Sequence, residues 1–319
     1  MPNSVNMNPT AISPSGQIVG YNQDATYTFH AFVRNSDGAI ASFDAPGAGQ
    51  GSGLGTVVTG INPKGQIVGE DIYVNNNVLM SHGFVREADA TFTIFDAIPD
   101  AIYTSAYAIN PAGQVAGTYA DANYFSHGFV RNSDGAITSF DVPGFIQGVV
   151  DIDPAGQIAG SYLEPDGTML GFLRDSDGTI TSFHAPGASS QTGGIGCGHC
   201  HGTLATAINR AGRIVGYYGG ADAVHGFLRH TDGRISSFGV NTYPTDINSE
   251  DLITGFLQDT KGVHGFLRKP NGAITTFDAP NSIATNPTAI SSSGQIVGYY
   301  EDAGQVMHGF VASRRRDDL

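Results

Sequence analysis

Residues 197–201 read Cys-Gly-His-Cys-His, the densest cluster of reactive side chains in this 319-residue sequence. Cys197, Cys200 and His201 match C-x-x-C-H, the pattern by which two thioethers and a proximal imidazole hold a c-type haem. The same residues with His199 have the donor types of a metal clip, and the two cysteines alone could close a disulfide or stay free thiols. A haem needs an apolar pocket and usually a second axial ligand, for which His184 or Met169 would have to serve. The flanks "SSQTGG" and "GTLAT" are small and polar. The surroundings therefore favour a loop staple or free thiols over a metal, and a metal over haem, so no cofactor is expected.

Other residues could carry acid–base chemistry. His184 stands where related segments place the Asp of "SFD", and with Tyr162 it forms the first pair to consider for proton abstraction beside a uronate carboxylate, the chemistry of a polysaccharide lyase. Asp151 stands where most related segments have Ala or Gly, and only Asp246 repeats it. A carboxylate pair could do general acid–base work only if held several ångströms apart. A third group suits binding. Tyr119, Tyr162, Tyr217, Tyr218 and Tyr300 fall near strand ends, with Glu164 among the carboxylates that follow. Aromatic rings cover the apolar faces of sugars while carboxylates accept hydroxyl hydrogen bonds. The competing reading is that these tyrosines pack in the core. The absence of Trp weakens a sugar platform.

What positions these residues is a repeat. "GQIVG" or a relative ends at Gly20, Gly69, Gly117, Gly160, Gly216, Gly255 and Gly298, and "HGF" or a relative follows each, with its Phe at 32, 84, 129, 172, 227, 266 and 310. Each unit reads as four short strands, a to d, exemplified by "YAIN", "GQVAGTY", "HGFVR" and "ITSF". Units of this length with four strands each indicate an all-β, seven-bladed β-propeller. The expected units are 10–55, 56–104, 105–146, 147–202, 203–241, 242–284 and 285–319. The last lacks a strand d, so residues 1–9 are expected to supply it and close the ring. Asp-Gly or Asn-Gly between strands c and d predicts a two-residue hairpin turn. That turn would set the strand-c and strand-d Phe, such as Phe129 and Phe140, directly opposite each other.

The slot histidines (His30, His82, His127, His225, His264 and His308) repeat too often to be one catalyst. They are expected to be structural, each buried on a neighbouring backbone group. The Arg four residues on is expected to pair with a nearby carboxylate.

Composition narrows the partners. Fifteen Lys and Arg against 29 Asp and Glu give a formal charge of −14, which repels phosphate backbones and anionic lipid. Neither nucleic acid nor membrane insertion is expected, and no apolar run reaches membrane-spanning length. The start "MPNSVNMNPTAIS" has no signal-peptide core, which fits a cytosolic chain or one whose leader has been removed.

At "HAFVRNSDGAIASFDAPGAGQGSGLGTVVTGINPKGQIVG" (30–69) the sequence resembles the HAF-repeat family of extracellular bacterial repeat proteins, and the resemblance extends over practically the whole chain. It implies a secreted or periplasmic protein and no established reaction. Tight a–b and c–d turns would lie on one face and the longer b–c and d–a connections on the other. The expectation is a binding propeller that recognises a carbohydrate or a protein on its long-loop face. A polysaccharide lyase is the alternative and a single-haem redox protein the weaker one. Repetition is broken most in the fourth unit and the crossing after it, so a ligand is expected there, within reach of Tyr162, Glu164 and Tyr218.

Overall fold

The computed structural model describes residues 6–189 and 202–313, which form 27 β-strands. Among these residues no helix is long and apolar enough to cross a membrane. The strands hydrogen-bond into sheets of 12, 8 and 7. Within these sheets the repeat is plain. In the third unit, strands a to d are Tyr103–Ile109, Val115–Ala120, Ser126–Arg131 and Ile137–Phe140, each antiparallel to the next. Consecutive repeats are joined, where joined at all, by a single parallel residue pair, such as Phe29 with Gly55 or Ser81 with Tyr103. Repeats therefore adhere through side chains more than through ladders.

The c–d hairpin departs from the two-residue turn. In the third repeat Asn132 N–H donates to Ala136 O, and Gly135 N–H donates to Asn132 O. This is a three-residue loop in which only Gly135 takes positive φ, at 94°. One residue of slip follows: Phe140 faces Gly128, and Phe129 faces Ser139. The slip explains the Gly of "HGF". A Cβ on Gly128 would lie 2.3 Å from Phe140 Cζ, so the glycine makes room for the ring.

The two phenylalanines then work between repeats. The strand-d Phe of one repeat meets the strand-c Phe of the next edge-on: Phe95 with Phe129 at 5.9 Å, Phe140 with Phe172 at 6.2 Å and Phe183 with Phe227 at 6.0 Å. Five of the six repeated arginines lie over the strand-d rings. Arg131 is 5.0 Å from the Phe95 centroid and Arg174 is 5.0 Å from that of Phe140. Their expected carboxylate partners are thus replaced by the aromatic face of the preceding repeat. A half-buried guanidinium is more easily desolvated than an ammonium, which suits it to this position.

Strand a of every repeat lines one central cavity of about 280 Å³, from Thr10 in the first to Thr288 in the seventh. Neighbouring a-strands are tied by side chains: Thr59 Oγ1 donates to Ala106 O at 2.7 Å, and Asn110 Nδ2 to Asp153 O at 3.1 Å. The first and last repeats make the same tie, Thr288 Oγ1 donating to Pro9 O at 2.8 Å.

The closure differs from the one expected. Asn6–Ile12 is strand a of the first repeat, with Asn6 paired to Gln23 and Pro9 to Gly20. Residues 6–9 therefore do not serve as a fourth strand for the seventh repeat, and 1–5 lie outside the described residues. Packing takes over that role. A Cβ on Gly309 would lie 2.9 Å from Met7 Sδ, so Met7 occupies the space that a strand-d Phe fills elsewhere.

Candidate functional site

The slot histidines are half-exposed on the rim of the long-loop face, not buried. Their partners are carboxylates from the strand-d exit and the b–c loop. His30 Nδ1 is 2.9 Å from Asp44 and its Nε2 is 3.5 Å from Asp24. His264 sits in the same way between Asp278 and Asp259, at 2.9 and 3.3 Å. Only at His225, where Gly239 replaces the strand-d aspartate, does Nδ1 meet a backbone carbonyl, at 3.0 Å. Hydrogen bonding to Asp278 raises the pKa of His264 above its ordinary value; at His30, burial pulls downward and the two aspartates outweigh it. Because these clips are open to solvent, His127→Ala is expected to cost less than about 1 kcal/mol in urea unfolding. A larger loss would mean that the ring carries packing beyond its carboxylates.

Most of the tyrosines expected to bind ligand are core residues. Tyr119, Tyr162 and Tyr218 are 5, 1 and 6% exposed. Their hydroxyls donate to serines of strand d: Ser139 at 3.0 Å, Ser182 at 2.9 Å and Ser237 at 2.9 Å. Tyr300 is half-buried and stacked on His308 at 5.0 Å, and Tyr217 meets Tyr243 edge-on at 5.2 Å. A Tyr162→Phe variant should lose about 1 kcal/mol, the usual worth of one such hydrogen bond, with no change in ligand affinity. Altered affinity would place that hydroxyl in a binding site after all.

The lyase pair is not assembled. Tyr162 directs its hydroxyl to Ser182, while His184 is exposed, and no hydrogen bond joins the two among the described residues. Asp151 and Asp246 do share a site, since both line the central cavity. Each ties its own strand to the next repeat. Asp151 accepts from Ile152 N–H at 2.8 Å and Ile208 N–H at 3.2 Å; Asp246 accepts from Ile247 at 2.7 Å and Ile290 at 2.8 Å. Burial, reinforced by the charge of Asp246, pushes Asp151 up to about 7, and burial pushes Asp246 up to about 6. The haem, metal and disulfide candidates Cys197, His199, Cys200 and His201 lie outside the described residues.

The second repeat holds a constellation that sequence reading missed. Its b–c hairpin, Ile67–Asn75 with Val78–Arg86, places buried Asp71 where four other repeats have Tyr. Asp71 Oδ1 accepts from the His82 backbone N–H at 2.8 Å and lies 3.4 Å from the ring Nδ1, and Tyr73 Oη is 2.9 Å from His82 Nε2. This carboxylate–imidazole–phenol chain braces the long hairpin.

One concave surface on the long-loop face lies between the third and fourth repeats, a groove of about 610 Å³. Phe125 and Phe145 flank it, 62 and 49% exposed. Two turns put them there. Asp121 Oδ1 accepts from Asn123 N–H at 2.8 Å and Phe125 N–H at 2.9 Å, folding the b–c loop so that Tyr124 takes φ 63° and Phe125 projects outward. These backbone bonds, Phe125 foremost, hold the Asp121 carboxyl below its usual range. On the other side, Gly144 passes so close to the fourth repeat that a Cβ would lie 2.2 Å from Leu163 O, and Phe145 follows at the start of strand a. Asp141 and Glu164 line the same groove, and Asp141 Oδ1 is 2.6 Å from His127 Nδ1. Of the binding residues expected from sequence, Glu164 is the one placed here, one interface before the expected location. A signal was present: Phe125 and Phe145 are among the five Phe outside the two repeated slots.

No family model and no curated protein matches this chain. Solved structures of similar fold do. A streptogramin B lyase is 12% identical with TM-score 0.59, over 98% of this chain and 95% of that one. The BP39L lectin of Burkholderia pseudomallei is 10% identical with TM-score 0.55, over 98 and 96%. An acylaminoacyl peptidase of Pyrococcus horikoshii is 12% identical with TM-score 0.61, over 96% of this chain and 51% of the peptidase, so the chain spans about half that enzyme's length. The likeness establishes an all-β, propeller-like fold.

Proposed function

We propose that this chain is an exported binding propeller of the HAF-repeat type, with seven blades of which the last is closed by packing of the N-terminal strand, and that it recognises a carbohydrate or a protein on its long-loop face. Seven a-strands around one cavity and the Thr288–Pro9 bond support the blade count. The observation that carries the functional reading is the groove between the third and fourth repeats. Two large aromatic rings stand open to solvent there, held by turns that spend Asp121 and Gly144 on presenting them. Exposed aromatic side chains gathered at a concavity mark recognition surfaces, because their burial by a ligand is strongly favourable. The lectin of similar fold makes a sugar one of the two ligand classes to test.

The test is a double variant, Phe125→Ser with Phe145→Ser, screened beside the parent against a glycan array and a peptide library. Ligands found with the parent should lose at least about tenfold in affinity with the variant, while its melting temperature stays put. Ligands that bind both proteins equally would remove the groove from the reading.

A further inference from the structure

The groove's chemistry narrows its occupant. Its walls are apolar, with Phe125, Phe145 and Leu163, and its charged side chains are Asp141 and Glu164. The side-chain donors among the described lining residues are Ser126 and His127, and His127 already meets Asp141 at 2.6 Å. No Arg, Lys, Asn, Gln or Trp is among these lining residues. Asp121 stands behind the first Phe, its Oδ2 3.8 Å from His127 Nε2. The site thus offers apolar surface and hydrogen-bond acceptors, and few donors.

A sugar presents hydroxyls that both donate and accept, and sites that hold one supply both kinds of partner; a uronate or sulfated glycan would also meet carboxylates of its own sign. A peptide carrying arginine or lysine beside proline or aromatic residues reverses each of these mismatches. Its cations donate to carboxylates in charge-assisted bonds, its apolar residues cover Phe125 and Phe145, and an extended proline-containing backbone loses little entropy on docking. The whole chain, at −14, steers such a segment inward.

The geometry points to an extended, cationic peptide segment with apolar or proline neighbours as the ligand of the groove between the third and fourth repeats. This rests on the binding reading above and deepens it.

A phage-displayed random peptide library selected on the whole protein, with enriched sequences then measured as synthetic peptides by fluorescence anisotropy, tests it. The enriched peptides should carry Arg or Lys next to Pro or an aromatic residue. Their affinity should fall about tenfold or more in Phe145→Ser and several-fold in Glu164→Gln, a change that removes charge while keeping shape. Raising salt from about 0.05 to about 0.5 M should weaken them further. Acidic or uncharged enriched peptides, or binding indifferent to Glu164→Gln, would overturn the proposal. A glycan that binds the parent and is lost in Phe145→Ser, with no basic peptide enriched, would overturn the peptide and leave the groove as a binding site. No ligand of either class responding to Phe145→Ser would overturn both. Phe125→Ser, on a loop outside the strands, guards against a folding defect at position 145.

Discussion

Phe129→Ala is expected to lower the stability of the protein by about 3–5 kcal/mol, the range for emptying a closed aromatic site. The Phe129 side chain has 0% exposure and packs with Val68, Val85, Val115 and Tyr119, which come from two different repeats. Phe95 of the second repeat meets it edge-on at 5.9 Å, and Arg131 covers Phe95 in turn. Removing the ring opens a void at the seam between repeats, where few ladder hydrogen bonds remain to hold the two together. The companion change Gly128→Ala pushes a methyl to within 2.3 Å of Phe140 Cζ and should cost about 1–3 kcal/mol by overpacking. Phe145→Ala, by contrast, should stay within about 0.5 kcal/mol of the parent, as exposed substitutions do. Urea unfolding of the three variants gives the comparison. Equal losses for Phe129 and Phe145 would show that the groove phenylalanine is part of the core.

The second large effect is on pH dependence, and it comes from the central cavity. Asp151 and Asp246 have folded pKa values of about 7 and about 6, above those of an unfolded aspartate. The native state therefore holds more protons than the unfolded chain between roughly pH 4 and 7. Stability falls as pH rises through that window, since it declines wherever the native state binds the greater number of protons. Glu70, Asp71, Asp96 and Asp153, also raised mainly by burial, act in the same direction. His30 and His264 add to it, because their raised pKa values give stability below their unfolded pKa that is lost as they deprotonate. The turn aspartates have the opposite sign. Asp24, lowered to about 2 chiefly by its Thr26 hydrogen bond, and Asp259, lowered by its Lys261 backbone bond, give stability that is lost as pH falls through their folded values. Maximal stability is thus expected near pH 4, at the acid end of that window.

Asp151→Asn should stabilise the protein at pH 8 by about 2 kcal/mol. Each unit of raised pKa corresponds to about 1.4 kcal/mol, and the asparagine gives back part of the gain because it can accept only one of the two backbone bonds. At pH 5, where the aspartate is largely protonated, the variant should be neutral or slightly destabilised. A variant less stable than the parent at pH 8 would mean that the two backbone bonds outweigh the buried charge.

What is local and repeated is legible in the sequence. The recurrence of "GQIVG" and "HGF" and the glycine-containing turns predict short strands in seven copies, because turn chemistry acts within a few residues. What depends on the neighbouring repeat is not legible there. The hairpin register turned on a third loop residue, and the slip became intelligible only once Phe140 was seen lying over Gly128. The arginines took aromatic rings of the preceding repeat as partners, which spacing within one unit cannot reveal. Tyr119, Tyr162 and Tyr218 turned inward because each has a strand-d serine within reach of its hydroxyl. Phe125 and Phe145 are twenty positions apart in different repeats and become one site only because the crossing at Gly144 runs against Leu163. A repeat pattern reports the interactions every copy shares. A binding site is built from those that a single pair of copies does not, and only packing the copies together brings such residues face to face.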